Sequence, residues 1–445
     1  MLYFRPWVRA RASESTQGNR ESGNALGGAL VLDRGPEVAG GHTNSRVSTA
    51  RFPVLVLGSG LTGIGVVRSL GRAGHEVYSI CGPHEPPTQS RWCRPIPKTW
   101  SPHASPRGLA TYLLQLPLPH AVLFPCSDDW TKAVADLPET LRERFPASIS
   151  SPPVIQTITD KWRFAEMLQR LDVPRPKTLL INSIEEMAAL PDDSYENMFL
   201  KPLNSQEFSF RNGSKAFQPS DKKHALDFMA QTLRSGTPEF PILLQEYIPG
   251  PSSSYYLVDG LVDRHGRLDG LFARRQLRMY PTLFGNSTLS ETIPLDQMQG
   301  PIQTLTRMWS ALGFRGIFDA EFKYDERDGQ YKMVEVNARP WWFVEFATRC
   351  GVDLCGMAYQ DALGLPVQSS HGYEVGRRCV YLLRDLATYR ATDPSLGGLL
   401  RWARSVKGAD EIIYQWDDPR PGISSTLASL TNYLRQTWQG FTSPR

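Results

Sequence analysis

The sequence predicts an α/β protein: a βαβ domain in front, then a larger module in which strands and helices are mixed. Three observations predict it. The apolar run 54–57 meets a glycine turn, a helical stripe of Ile64, Val67 and Leu70, and a second apolar run at 77–80. That change of period from strand to helix and back marks a βαβ unit. Past Pro152, short apolar runs such as 178–181, 198–201 and 242–247 alternate with longer amphipathic stretches. Finally, 314–324 and 330–337 read as two strands joined by the turn "DERDGQ".

At 445 residues the chain holds two to four domains by a prior of roughly 150 residues each. A net charge of +4, without a dense Lys/Arg tract, argues against a nucleic-acid partner. The six cysteines form no CxxC pair, so free thiols are expected rather than a disulfide framework or a sulfur-ligated metal. No apolar run approaches the roughly 20 residues of a membrane span, and a cytoplasmic protein is expected. A homodimer is the default assembly.

Residues 1–50 are rich in Ser, Gly and Asn without hydrophobic period, and a disordered extension is expected. Residues 51–150 form the βαβ domain, whose strand 121–124 ends in the polar cluster Ser127, Asp128 and Asp129. Pro152 and Pro153 read as a joint. A helix from Asp160 then carries Phe164, Leu168 and Leu171 on one stripe until Pro174 and Pro176. The module continues to 370, with a helix over 220–233. Residues 371–445 read as a small C-terminal segment with a strand near 378–383.

"GSGLTG" places Gly58, Gly60 and Gly63 between strand and helix, the context of a Rossmann-like dinucleotide turn. A nicotinamide enzyme also wants an acid at the end of the second strand, where Cys81 and Gly82 stand. The glycines therefore read as a tight turn, with an NAD(P)-binding oxidoreductase as the rival.

The chemistry concentrates in "FDAEFKYDERDGQYKMVEVNAR". Glu335, Asn337 and Arg339 follow at i, i+2 and i+4, one face of a strand. Antiparallel pairing brings Glu321 near Glu335 and Asn337. Two close carboxylates repel, and a bound cation removes the penalty. The oxygen-only set of Glu321, Glu335 and Asn337 suits Mg²⁺ or Mn²⁺, and Arg339 offers a fork for a phosphoryl group. Chance acids on a solvated hairpin are the competing reading.

Lys161 at a helix start, "FLKP" with Lys201, "QEYIPG", and an acidic strand pair ending E-x-N-x-R follow in that order. Together, over about 51–365, they resemble the ATP-grasp ligases. "RRQLRMYP" with a later "SETI" is similar to the predicted carboxylate–amine ligases that include D-aspartate ligase-like enzymes. The resemblance implies a Rossmann-like domain followed by a two-subdomain ATP-grasp module that forms ADP through an acyl phosphate. Its substrates would be ATP, a small carboxylate and an amine. It implies phosphate contacts at Lys161 and Lys201, with Ser214 and Lys215 in the loop over the triphosphate. Adenine would lie against Gln245, Glu246, Tyr247 and Ile248. The metal would be held by Glu321, Glu335 and Asn337, with catalytic charges at Arg339 and Arg278. Two departures stand out. Ser253 replaces the usual ribose-binding acid, and the loop 203–217 has a single glycine, Gly213. Both point to the alternative of a Mg·ATP-binding module without turnover.

Overall fold

The computed structural model describes residues 52–100, 104–203, 215–234, 240–370 and 372–426. The expected extension 1–50 and the loop position Ser214 lie outside them. Three sheets carry the fold.

The first is parallel, in the order β2-β1-β3, with β1 Val54–Leu57, β2 Val77–Ile80 and β3 Val122–Pro125. Every residue of β1 and β3 is buried, as expected for strands covered on both faces. Helix α1, Gly60–Arg72, follows the glycine turn. Gly58 and Gly60 adopt φ +119° and +72°, which side chains disfavour. A Cβ on Gly63 would lie 2.9 Å from Pro87 Cγ and 3.0 Å from the Gly58 carbonyl oxygen, so close packing explains that glycine. Helix α2, Asp128–Ala135, starts directly after β3, with Ser127 accepting from the Trp130 amide.

The expected joint at Pro152 and Pro153 is instead the first turn of helix α3, Pro152–Thr159. Proline fits there because first-turn amides have no intrahelical partner to lose. Helix α4, Lys161–Arg170, is capped by Asp160, which accepts from the Trp162 and Arg163 amides. Its buried stripe is Phe164, Met167 and Leu168, and the predicted Leu171 is its C-cap, partly buried against the same core.

The second sheet is antiparallel, β4-β6-β5, with β4 Thr178–Ile181, β5 Met198–Pro202 and β6 Ile242–Glu246. Helix α5, Lys222–Arg234, buries Ala225 and Met229, which join a core with Leu200 and Leu244.

The third sheet has seven strands, β11-β10-β7-β8-β9-β12-β13. Its centre is β7 Tyr255–Val262, β8 Leu268–Tyr280 and β9 Asn286–Thr292. After helix α6, Gln299–Leu312, come β10 Gly316–Asp325 and β11 Gln330–Asn337. Helices α7 Val344–Cys350 and α8 Leu354–Ala362 pack on α1.

Residues 372–426 extend this same sheet. Strand β12, Arg378–Val380, pairs with β9, and β13, Asp410–Glu411, pairs with β12. Between them lie helices α9 Leu382–Thr392 and α10 Leu396–Val406. Beyond β13 the chain reaches the βαβ domain. There the fully buried Arg68 donates to Asp418 Oδ2 at 2.9 Å and to the carbonyls of Ile412, Ile413 and Asp418. All six cysteines are free thiols. Among the described residues no helix is long and apolar enough to cross a membrane.

Candidate active site

A cleft of about 1190 Å³ is lined by the second and third sheets, by helices α3 and α4 and by the first turn of α2. The second sheet contributes Phe199, Lys201 and Gln245. The third contributes Tyr255, Arg274, Glu321 and Glu335.

The hairpin β10–β11 sets the centre. Glu321 lies directly opposite Glu335 and Asp319 opposite Asn337, with a bulge after Glu321. Asn337 Nδ2 donates to Asp319 Oδ2 at 3.0 Å, and Arg339 Nη2 donates to Asn337 Oδ1 at 3.0 Å. The same guanidinium donates through Nε to Asp128 Oδ1 at 2.7 Å. The alternation places Val336 and Ala338 in the core behind.

The two glutamates titrate apart. Burial, the facing Glu335 and nearby Asp319 push the Glu321 carboxyl up to about 7. Solvent reaches Glu335 through the cleft, yet protein rings it. Burial there is outweighed by Lys201, Lys215, Lys161 and Arg339, which lower its carboxyl and keep it anionic. An acid held neutral by burial and by its neighbours' charge is a place for a cation. No group of three or more His, Cys, Asp or Glu among the described residues is placed to hold a metal. The donors present are thus two carboxylates and one amide oxygen, and a hard divalent cation on them would complete its shell from phosphate or water.

This arrangement sets a pH dependence. A divalent cation held between these acids would have to displace the Glu321 proton, so apparent Mn²⁺ affinity should rise about fivefold between pH 6 and 7 and only about twofold more by pH 8. Calorimetric titration at pH 6, 7 and 8 without nucleotide measures it, and a flat profile would contradict the assignment. The linked stability runs the other way. The folded chain holds this proton more tightly than an unfolded chain with its ordinary value of 4.5. This contribution to metal-free stability is therefore lost as pH rises from 4.5 through about 7.

Lys161 heads α4, and its ammonium donates to the Leu203 carbonyl. Burial, with nearby Lys201, lowers it to about 8. Lys201 lies on β5, and Lys215 donates to Asn286 Oδ1. All three lysines line the cleft. At the end of β6, Gln245 Nε2 donates to Thr178 Oγ1 at 2.9 Å, while its Oε1 is buried without a partner. Glu246 accepts from the Lys177 amide at 3.0 Å and pairs with Arg327. Ile248 is buried beyond the ladder, and Phe284 packs on Phe199 and Tyr247 at centroid distances of 4.7 and 6.1 Å.

Arg278 is placed elsewhere. Bulges flank it in the β8–β9 pairing, and they turn its guanidinium away from the cleft. It forks onto Asp385 at 2.5 and 2.9 Å and reaches Ser405. The arginine that β8 gives the cleft wall is Arg274, buried between Asp259 at 2.8 Å and Asp319 at 2.7 Å. Ser253 is not among the cleft-lining residues, and its carbonyl accepts from Arg275 Nε at 2.6 Å. Sequence reasoning also missed Lys323, stacked between Tyr247 and Tyr255 at 4.7 and 4.6 Å. Its position two residues after Glu321 on the same strand was the available signal.

A parallel βαβ domain, a small antiparallel sheet and a large one around a cleft of lysines and paired acids make up an α/β fold of the ATP-grasp kind. No family model matches the chain. Its sequence is similar to D-aspartate ligase from Enterococcus faecium, 25% identical over 248 residues, which are 54% of this chain and 58% of that enzyme. The chain thus spans less than two thirds of that relative. The fold is similar to the biotin carboxylase domain of Hydrogenobacter thermophilus 2-oxoglutarate carboxylase, at TM-score 0.56 and 15% identity, covering 74% of this chain and 73% of that one. It is also similar to an L-amino acid ligase from Bacillus licheniformis, at TM-score 0.50 and 15% identity, covering 70% and 74%.

Proposed function

We propose that this protein is an ATP-dependent, ADP-forming carboxylate–amine ligase working through an acyl phosphate. The observation that carries the reading is the direct opposition of Glu321 and Glu335, with Asn337 and Arg339 in line and three lysines on the same cleft. Such a cleft is built for polyphosphate and a divalent cation, Mg²⁺ or Mn²⁺. The solved biotin carboxylase domain holds MgADP and bicarbonate, and the sequence relative is named for joining an amino acid.

The protein's own groups do the following. Lys161 and Lys201 hold phosphate oxygens, and Lys215 approaches them from the loop side. Gln245 to Ile248, with Phe199 and Phe284, bind the base. Glu321, Glu335 and Asn337 would hold the cation, which supplies Lewis-acid charge to the transferred phosphoryl group. Arg339 offsets the charge that develops as the substrate carboxylate attacks the γ-phosphorus. Arg274 takes the second cationic position, in place of Arg278.

The test is ADP release with Mg²⁺ across single amino acids, pairs of them and small carboxylates, D- and L-aspartate included. A carboxylate-dependent rate well above the ATP blank is the expected result. Tight Mg·ATP binding with no ADP from any member of the panel would instead favour a binding module without turnover.

A further inference from the structure

The ligase reading leaves one requirement unassigned. An amine reaches neutral water as an ammonium ion and must lose a proton before its lone pair can attack. Most carboxylates lining the cleft already have other work. Asp160 caps α4, Glu246 is held by Arg327 and the Lys177 amide, and Asp319 bridges Arg274 and Asn337. Glu321 and Glu335 belong to the cation. Of the two that remain, Asp129 is exposed and next along the helix, whereas Asp128 touches the phosphoryl-handling arginine at 2.7 Å.

We propose that Asp128 receives the acceptor's ammonium group and takes its proton, and that Arg339 uncovers it at the right moment. The inference rests on the ligase reading. Asp128 is contributed by the βαβ domain, 211 residues from its partner, and 42% of its side chain is solvent-accessible in the cleft. Once a phosphoryl group is transferred, its dianion competes for the Arg339 guanidinium. Turning of Arg339 toward that charge leaves a bare carboxylate one guanidinium-width from the metal ligand Asn337. An ammonium ion is the complementary occupant.

The step then balances. Asp128 takes one proton from R–NH₃⁺, and the freed lone pair forms the C–N bond at the acyl carbon. The C–O bond to phosphate breaks, phosphate leaves with that electron pair, and it takes the second nitrogen proton. The products are the amide, HPO₄²⁻ and a protonated Asp128.

Hydroxylamine separates this role from a structural one, because its nitrogen is largely unprotonated at neutral pH and needs no base to begin. The measurement compares hydroxamate formation from hydroxylamine with amide formation from ordinary amino acids, using the carboxylate that supports ADP release. In Asp128→Asn the amide rate should fall on the order of 10²-fold or more against a hydroxamate rate within about tenfold of wild type. Its residual amide rate should climb with pH as free amine accumulates. Asp128→Glu should recover much of the lost ratio. Equal losses in both arms, or an unchanged amide rate, would overturn the assignment. Wild-type protein that makes no hydroxamate and no ADP with any carboxylate would remove the ligase reading itself, and this inference with it.

Discussion

Glu335→Gln should abolish ADP release, by on the order of 10³-fold or more, while the metal-free protein still unfolds cooperatively within a few degrees of wild type. Glutamine keeps the shape of the side chain on β11 and removes only its charge. Loss of that charge takes away one of two carboxylates on the cation and its attraction for three lysines. It also relieves the repulsion that pushes up the Glu321 carboxyl, so that group should return toward its ordinary value. Loss of activity and weaker Mn²⁺ binding in a cooperatively folded protein form a joint signature that misfolding cannot imitate. Activity surviving at a tenth of wild type would sink the cation assignment.

The largest expected stability effect lies far from the chemistry. Arg68→Met should destabilise the protein by about 3–5 kcal/mol, because it strands Asp418 in the interior without its cation. Ser90 Oγ and the Arg91 amide would still donate to that carboxylate at 2.7 and 2.9 Å, and cannot neutralise it. Three carbonyls, of Ile412, Ile413 and Asp418, would lose their donor as well. A fall in melting temperature on the order of 10 °C is expected. The double variant Arg68→Met/Asp418→Asn should regain part of it. A single variant within about 1 kcal/mol of wild type by chemical denaturation would show that this buried pair is dispensable.

The hairpin was legible because its signals are local. A polar residue at every second position, a short Asp/Gly turn and an acid on the opposite strand all fall within the 22 residues 318–339. The lysines and the β6 segment were legible through their order. What sequence could not show depends on distant partners or on broken periodicity. Asp319 sits in "GIFDAEF" as an isolated acid, and only the fold brings Arg274 and Asn337 to it. Asp128 was noticed as part of a polar strand end, but its pairing with Arg339 spans two domains. Arg274, Gln276 and Arg278 share one face of an ideal strand. The bulges around Arg278 break that phase and send it to Asp385, away from the cleft where the resemblance implied a catalytic charge. Strands β7 to β9 escaped prediction because their charged residues are buried in pairs, where a period-two pattern expects solvent.

The clamp between α1 and the chain's far end bears on how this protein is made. Synthesis delivers α1 early, yet the guanidinium at its centre meets Glu345, at 3.7 Å, only with α7, and its hydrogen-bond partners at 412–418 only some 350 residues later. Until then the βαβ domain carries an uncompensated charge on a surface destined for the interior. During translation it should therefore stay loosely packed, and arrival of the segment 412–418 should act as the closing step for this domain. A ribosome stalled before position 412 would hold a nascent chain whose front domain is still readily cleaved by protease.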